Sequence, residues 1–393
     1  MTAARAAAEL AINGGCPVRA TMLPYGRQSI DDDDVRAVVA ALQSDWLTTG
    51  PAVAEFEHAF AAATGAAEAV AVSSGTAALH AAMHTLRIGL GDEVIVPAMT
   101  FAASANCVVY EGGTPVFADV EPDTLLLDPT KVEARITPRT KAIVAVDYAG
   151  QPCDYDALRS FGLPIVADAC HALGGSYKGT PAGALAKLNV FSLHPVKHVT
   201  TGEGGVITTD DAELARRMRV FRNHGITSDH RERAREGSWF YEMVELGFNY
   251  RLTDFQCALG TSQLRKLRDS VARRRAIAAR YDRFFAGTPA IAPLRVRADA
   301  QHAYHLYPVL LSIDRAAAFR ALRAEGIGCN VHYIPVHLHT FYKERFGTGA
   351  GLCPVAEAAY ERLITLPMFP AMSDRDVDDV IEACTKVLAV YGA

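Results

Sequence analysis

The 393-residue sequence predicts an α/β protein, with a large domain built on a mostly parallel sheet flanked by helices and joined to a smaller α+β domain. Three observations carry this. Between residues 69 and 168 short apolar runs alternate with helical periodicity, the pattern of strand–helix–strand units. The first of these runs breaks at Ser73-Ser74-Gly75 and passes at once into a helical pattern. After a long helical stretch that starts at Asp254 a second, shorter alternation begins, and the chain exceeds one ordinary domain. These changes divide it into an arm at 1–25, a large domain at 26–265 and a small domain at 266–393 that includes the linking helix.

The elements follow in order. Gly14, Gly15 and Pro17 keep the arm irregular up to Tyr25. In IDDDDVRAVVAALQSD, Val35, Val38, Val39 and Leu42 fall at helical spacing behind aspartates that suit a helix start. LTTGP is a turn, and Ala54 to Ala63 is a second amphipathic helix. Then AVAV reads as a strand and TAALHAAMHTL as a helix. EVIVP, PVFADV, KAIVAV and PIVAD are the next strands, with helical patterns at 101–110, 129–135 and 155–161 between them. One long helix is expected from Asp254 to about Ala286. Beyond it, YHLYPVLL and CNVHYIPV read as strands, RAAAFRALRAEG as a helix ending at Gly326, and 374–390 as the closing helix.

Composition excludes several classes. A net charge of −5 gives no electrostatic case for nucleic acid or an acidic membrane surface. The basic stretch 265–283 carries apolar residues at roughly helical spacing and reads as a solvated helix face. Eight cysteines without a CxxC pair indicate buried thiols in a reducing, cytoplasmic setting. The Ala-rich opening is interrupted by Glu9 and is not read as a signal peptide, and no run approaches the roughly 20 apolar residues of a membrane span. Neither GxGxxG nor GxxxxGK[ST] occurs. Pro335 disrupts any helical face among His332, His337 and His339, so no metal is assigned. Met218 and Met243 read as core.

The stretch VFSLHPVKHVTTGEGGV holds the chemistry. Lys197 lies among Pro195, Val196, His198 and Val199, where desolvation would free its amine as a nucleophile. Gly202, Gly204 and Gly205 let the following backbone take positive φ and pass close to a ligand. The strand–turn–helix at Ser73 to Ala77 points free N–H groups and a positive helix end at one spot, a phosphate cup. Asp168 ends a strand at the same edge of the sheet. Each feature has an ordinary alternative: a solvated loop lysine, a cap by Ser74 or Thr76, a capping aspartate. Together with Phe101 as a stacking ring they match the parts that hold pyridoxal 5′-phosphate.

With these blocks assembled, the chain resembles the DegT/DnrJ/EryC1/StrS sugar aminotransferases, within the fold type I pyridoxal-phosphate enzymes. LTTGPAVAEFE, SSGTAALHAA, TFAASAN, ADACHALGG, VFSLHPVKHVTTGEGG, LGFNYRLTDFQCALG and VHYIPVH carry the resemblance, which spans nearly the whole chain. It implies a seven-stranded sheet. It also implies that Lys197 forms the Schiff base, Asp168 keeps the pyridine nitrogen protonated, His171 lies near the ring and Phe101 stacks on it. Gly75, Thr76, Ala77 and Ser192 would hold the phosphate, and Asn249 would reach it from a neighbouring subunit, making an active homodimer. Arg251 would pair with a diphosphate while His332 and Tyr333 line the sugar site; the alternatives are a structural arginine and a buried tyrosine. The blocks LPYGRQSI and HLYPVLL look most like the pseudaminic acid pathway, implying glutamate-driven C4 amination of a UDP-linked 4-keto-6-deoxy-hexose. Other implied substrates are an antibiotic sugar, an aminocyclitol or another cyclic ketone, and a catalytically silent cofactor-binding sensor is a further alternative. Family members that remove a sugar hydroxyl carry histidine at the lysine position, so Lys197 favours transamination. Ala103 and Ser104 stand where the family usually has Ala-Thr, and AGALAKLN departs from the pseudaminic pattern in a segment expected near substrate.

Overall fold

The computed structural model describes residues 10–228 and 230–392; the first nine residues of the expected arm lie outside the described residues. Helix α1, Asp32–Leu42, starts with a capping box in which Asp31 and Asp34 each accept the other's backbone N–H. Its valines are not its packing face. Val35 is 52% exposed, whereas Asp34 is buried and accepts from Gln263 Nε2 and Lys266 Nζ at 2.7 and 2.5 Å. Helix α2, Pro51–Thr64, buries Phe56 and Phe60 instead.

The large sheet then builds up by right-sized units: β1 (Glu68–Val72), α3 (Gly75–Thr85), β2 (Glu93–Pro97), α4 (Ala103–Tyr110), β3 (Thr114–Ala118), α5 (Pro129–Glu133), β4 (Thr140–Val146), α6 (Tyr155–Arg159) and β5 (Ile165–Asp168). These are the strands and helices the apolar runs predict. Two further strands, β6 (Leu188–Ser192) and β7 (Gly205–Thr209), complete it before α7 (Ala212–Phe221). The spatial order is β1-β7-β6-β5-β4-β2-β3. All neighbouring strands are parallel except β7, which runs antiparallel to both β1 and β6. The Lys197 block is therefore the connection from β6 back into β7, at the carboxyl edge of the sheet.

The long helix expected from Asp254 is two helices, α8 (Asp254–Arg265) and α9 (Leu267–Phe285), separated at Lys266. The break lets α8 pack on α1 and α2 while α9 turns Ile277, Tyr281 and Phe285 into a second core. That core lies under a three-stranded antiparallel sheet of β8 (Ile291–Pro293), β9 (Tyr307–Leu311) and β10 (Leu363–Leu366). Helices α10 (Arg315–Ala324), α11 (Thr340–Phe346), α12 (Pro354–Arg362) and α13 (Asp374–Tyr391) complete this part. Leu10 and Leu23 of the arm belong to the same core, and buried Glu325 accepts from the arm at Ala11 N and Val18 N while pairing with Lys386.

Three expectations are overturned here. CNVHYIPV is not a strand: it keeps one bridge, Asn330 to Thr365, and beyond it Tyr148, Met99 and Ala98 bond the His332 carbonyl, the Tyr333 N–H and the Val336 N–H. Met218 is core, but Met243 is 62% exposed, with Trp239 and Leu246 of the same segment also exposed. In the basic helix face, Arg274 is only 1% exposed and gives its Nη1 to the carbonyls of Tyr304, His305 and Met368. Among the described residues, no helix is long and apolar enough to cross a membrane.

Candidate active site

A cavity of about 510 Å³ opens at the carboxyl ends of β1, β5 and β6. It gathers Gly75, Thr76, Phe101, Asp168, His171, Ser192, Lys197, His332 and Tyr333 from separate stretches of the chain. Strand β1 is followed by Ser73, whose N–H donates to Tyr250 O at 2.8 Å, and α3 begins two residues later. Ser74 caps that helix by accepting from Ala77 N at 3.0 Å. The helix-cap reading thus holds for Ser74, and the Ala77 amide is not free for a phosphate. Ala77 is buried away from the cavity wall, whereas Gly75 and Thr76 line it. Gly75 must be glycine, since a Cβ there would lie 2.9 Å from the Ser192 Cβ.

The three glycines after Lys197 serve different ends. Only Gly202 takes positive φ, at 78°. A Cβ on Gly205 would come within 2.3 Å of Ser74 O, and one on Gly204 within 2.4 Å of Thr201 Oγ1. The close approach that Gly205 permits is to the backbone of the phosphate cup, not to a ligand.

Asp168 is buried at the end of β5, where Ser104 Oγ donates to its Oδ2 at 2.6 Å and Cys170 N donates to its Oδ1 at 3.3 Å. Ser104 is in turn 2.7 Å from Thr100 Oγ1. This hydroxyl pair was not assigned a role from sequence, where Ser104 stood out only as a replacement in the family pattern. Lys197 Nζ makes no hydrogen bond among the described residues. Burial lowers its pKa, with Arg274 acting in the same direction and Cys170 and Asp168 opposing. Its amine is therefore easier to deprotonate than an ordinary lysine.

His171 faces Tyr333, whose Oη lies 3.0 Å from Nε2, and its Nδ1 is buried without a partner. Burial drives its pKa well below the usual value and the neighbouring Lys197 adds to this, so the ring is neutral. His305 packs on it with ring centroids 4.5 Å apart. His332 is held by Thr365 Oγ1 at 2.9 Å from Nδ1 and by Tyr148, whose hydroxyl donates to its carbonyl. Burial takes its pKa down to about 4. Phe101 is 58% exposed at the mouth, 5.9 Å from the Tyr333 ring. Tyr25 of the arm and His305 also line the cavity and went unassigned from sequence; only assembly of the two cores brings them there.

Two expected site residues lie elsewhere in this chain. Asn249 is exposed and bridges to Asn223 by its backbone. Arg251 donates to Asn223 Oδ1 at 2.8 Å and faces a separate cavity of about 300 Å³ beside Arg219, Arg222 and Arg231. Residues 182–189, expected near substrate, do not line the main cavity.

These residues fit pyridoxal phosphate: a desolvated amine, a buried carboxylate, an orphaned imidazole nitrogen and a cup whose glycine leaves no room for a Cβ. Such a site on this sheet defines a pyridoxal-phosphate-dependent aminotransferase. The family model described as the DegT/DnrJ/EryC1/StrS aminotransferase family matches residues 28–385, and the chain belongs to that family. The spore coat polysaccharide biosynthesis protein SpsC of Bacillus subtilis is 43% identical over 377 residues, covering 93% of this chain and 97% of that one. Spr1654 of Streptococcus pneumoniae, assigned as a sugar aminotransferase and solved in a PLP form, is 36% identical. It superposes with a TM-score of 0.88 over 94% of this chain and 99% of its own. Helicobacter pylori PseC, an aminotransferase of pseudaminic acid biosynthesis, is 32% identical with a TM-score of 0.87, over 93% and 99% of the two chains.

Proposed function

We propose that this aminotransferase moves an amino group from L-glutamate to the ketone of a nucleotide-linked keto-deoxy sugar, of the UDP-4-keto-6-deoxy-hexose type, in two half-reactions. The observation that carries the reading is the pairing, in one cavity, of the desolvated Lys197 amine with the buried Asp168 carboxylate. The cofactor supplies an electron sink for the carbon that loses a proton. Lys197 holds the cofactor aldehyde at rest and, once displaced, moves the proton, a task its lowered pKa suits. Asp168, fixed by Ser104, would pair with the protonated ring nitrogen. His171, neutral and anchored on Tyr333, would lie near the ring, and Phe101 would stack on it. Gly75, Thr76 and Ser192 would hold the phosphate.

The sugar end is supported by His332 and Tyr333, which line the same cavity. Asn249 and Arg251, placed away from this chain's own cavity, suit delivery to the site of a second copy in a homodimer, Asn249 toward the cofactor phosphate and Arg251 toward a substrate diphosphate. The parts that SpsC plays in spore coat polysaccharide and PseC in pseudaminic acid biosynthesis support a sugar acceptor, and the particular sugar rests on the motif blocks alone. The test is the absorption spectrum of the purified protein before and after glutamate. A visible cofactor band that bleaches on addition, and is absent from Lys197→Ala, is the expected result. A band indifferent to glutamate overturns the donor, and no band after supplying pyridoxal phosphate overturns the whole reading.

A further inference from the structure

Helix α3 forms the phosphate cup at its start and carries His80 and His84 one turn apart farther along. A line of polar contacts runs through these two rings. Tyr250 Oη lies 3.1 Å from His80 Nδ1, and His80 Nε2 lies 2.9 Å from Glu111 Oε1. His84 Nδ1 lies 3.3 Å from the same oxygen, and His84 Nε2 lies 3.4 Å from Glu245 Oε2. Stacking holds the geometry: His84 lies 4.0 Å from the Phe221 ring at 18°, and Phe248 lies 5.0 Å from Tyr250 at 14°. The segment 242–250 is thus gripped at Glu245 and at Tyr250, with Asn249 next to the second grip.

The two histidines differ in what they require. His80 meets one carboxylate and one hydroxyl, with Glu111 Oε1 at its Nε2 and Tyr250 Oη at its Nδ1. His84 has a carboxylate at each nitrogen. Ionised carboxylates only accept, so both nitrogens must donate and the ring must be an imidazolium. Burial opposes that charge, yet Glu111 and then Glu245 outweigh it and raise the His84 pKa. Burial likewise opposes ionisation of Glu111, and the two histidines bring it down to about 2, so it stays charged.

We propose that His84 is a positioning residue: bridging Glu111 and Glu245, it clasps the 242–250 segment, and with it Asn249 and Arg251, to the helix that forms the phosphate cup. The consequence for the cofactor rests on the cross-subunit reading of Asn249 given above; the clasp itself does not. The charged and titratable groups around His84 are His80 and Arg87 from α3 and its end, Tyr110 and Glu111 from α4 and its end, Glu213, Arg216 and Arg217 from α7, and Glu245 and Tyr250 from the segment. Glu213 pairs with Arg216 through both guanidinium nitrogens at 2.7 Å, which leaves Glu245 to His84. Because folding raises the His84 pKa, the clasp is complete below the ordinary histidine value of about 6.5 and is lost as pH climbs through the raised one. The contact whose loss frees the segment is the one to Glu245, since Glu111 lies outside 242–250.

Amide hydrogen exchange of peptide 242–250 in the full chain, corrected for intrinsic rates, tests this at about pH 6 and about pH 9. Protection should fall across that range as the His84 imidazolium loses its proton and its ion pair with Glu245. Val244, Phe248 and Tyr250 also donate their N–H groups to the carbonyls of Gly225, Phe221 and Arg222, so His84→Phe, which keeps the stack on Phe221, should be less protected than wild type at about pH 6 and alike at both values. Glu245→Gln should stay protected at both, since its amide donates to a neutral ring. Equal wild-type protection at the two values, or a fully protected His84→Phe, overturns the clasp. If His84→Phe folds poorly, the wild-type series and Glu245→Gln decide. Asn249→Ala that leaves cofactor retention unchanged refutes the cross-subunit contact instead, without touching the exchange result.

Discussion

Replacing Gly205 by alanine probes the phosphate cup without touching a group that meets the cofactor. A Cβ at 205 would stand 2.3 Å from Ser74 O, 2.5 Å from Ser74 C and 2.8 Å from Gly75 N. All three atoms are backbone, so no side chain can swing aside. Opening the first contact to 3.0 Å requires the 74–75 peptide to retreat by about 0.7 Å, or β7 to leave its register between β1 and β6. Overpacking of this kind costs about 1–3 kcal/mol of stability. A retreat of that size also degrades at least one charge-assisted hydrogen bond from the cup, each contributing about 1.5–3 kcal/mol, so cofactor affinity should fall roughly 10- to 100-fold. Equilibrium dialysis with pyridoxal phosphate measures the affinity, and urea unfolding the stability. Gly202→Ala is the control. It has nothing within 4 Å but a φ of 78°, so it should lose about 1 kcal/mol of stability and little affinity. If Gly205→Ala folds and binds pyridoxal phosphate as tightly as Gly202→Ala does, the cup is not set by this packing.

Two further substitutions test the energetics. Lys197→Met should make the cofactor-free protein more thermostable at neutral pH. Because the folded-state pKa of Lys197 is depressed, the penalty is full below that value and disappears as pH rises toward the ordinary value of about 10.5, so the advantage should shrink in alkali. A Met variant less stable than wild type at neutral pH would mean the amine is solvated. Asp254→Ala removes the carboxylate that accepts from Gly50 N at 2.8 Å and Ala52 N at 3.2 Å at the start of α2, and should lower stability by about 1–2 kcal/mol in urea unfolding. No change would place the stabilisation of that helix start elsewhere.

What the sequence made legible follows from where the chemistry sits. Asp168, Ser192 and Gly75 stand at or just beyond strand ends, and β1 to β5 are apolar runs that burial on both faces of a sheet demands. Lys197 lies between two such strands in a short connection, so locating the strands locates the lysine. The misses have a common physical cause, which is long-range polar contact overriding local pattern. Arg274 reads as a surface residue in a basic helix, but three backbone carbonyls from two distant segments take it inside. CNVHYIPV has strand-forming residues, but Tyr148 and Thr365 claim the His332 carbonyl and ring while Met99 Sδ accepts from Tyr333 N. The valines of α1 have a core-like spacing, but the Asp34–Gln263–Lys266 contact rotates them outward. No local periodicity contains these partners.

The same long-range assembly sets the charge of the cavity. Burial holds His171, His305 and His332 neutral, and Lys197 adds to the effect at each. Among the described residues that line the cavity, Lys197 is then the sole lysine or arginine, facing the carboxylates of Asp168 and Glu203. A cofactor phosphate brought to Gly75 and Thr76 meets amide and hydroxyl donors and a helix start, which contributes only about half an elementary charge. Such a cup orients a dianion better than it neutralises one. Arg251, by contrast, donates to a neutral asparagine, burial together with Arg222 lowers its pKa, and among the described residues no carboxylate pairs with it. On the homodimer reading proposed above, exchanging the 249–251 block between two copies would bring this arginine's charge to the other copy's cavity, where the cup is under-neutralised.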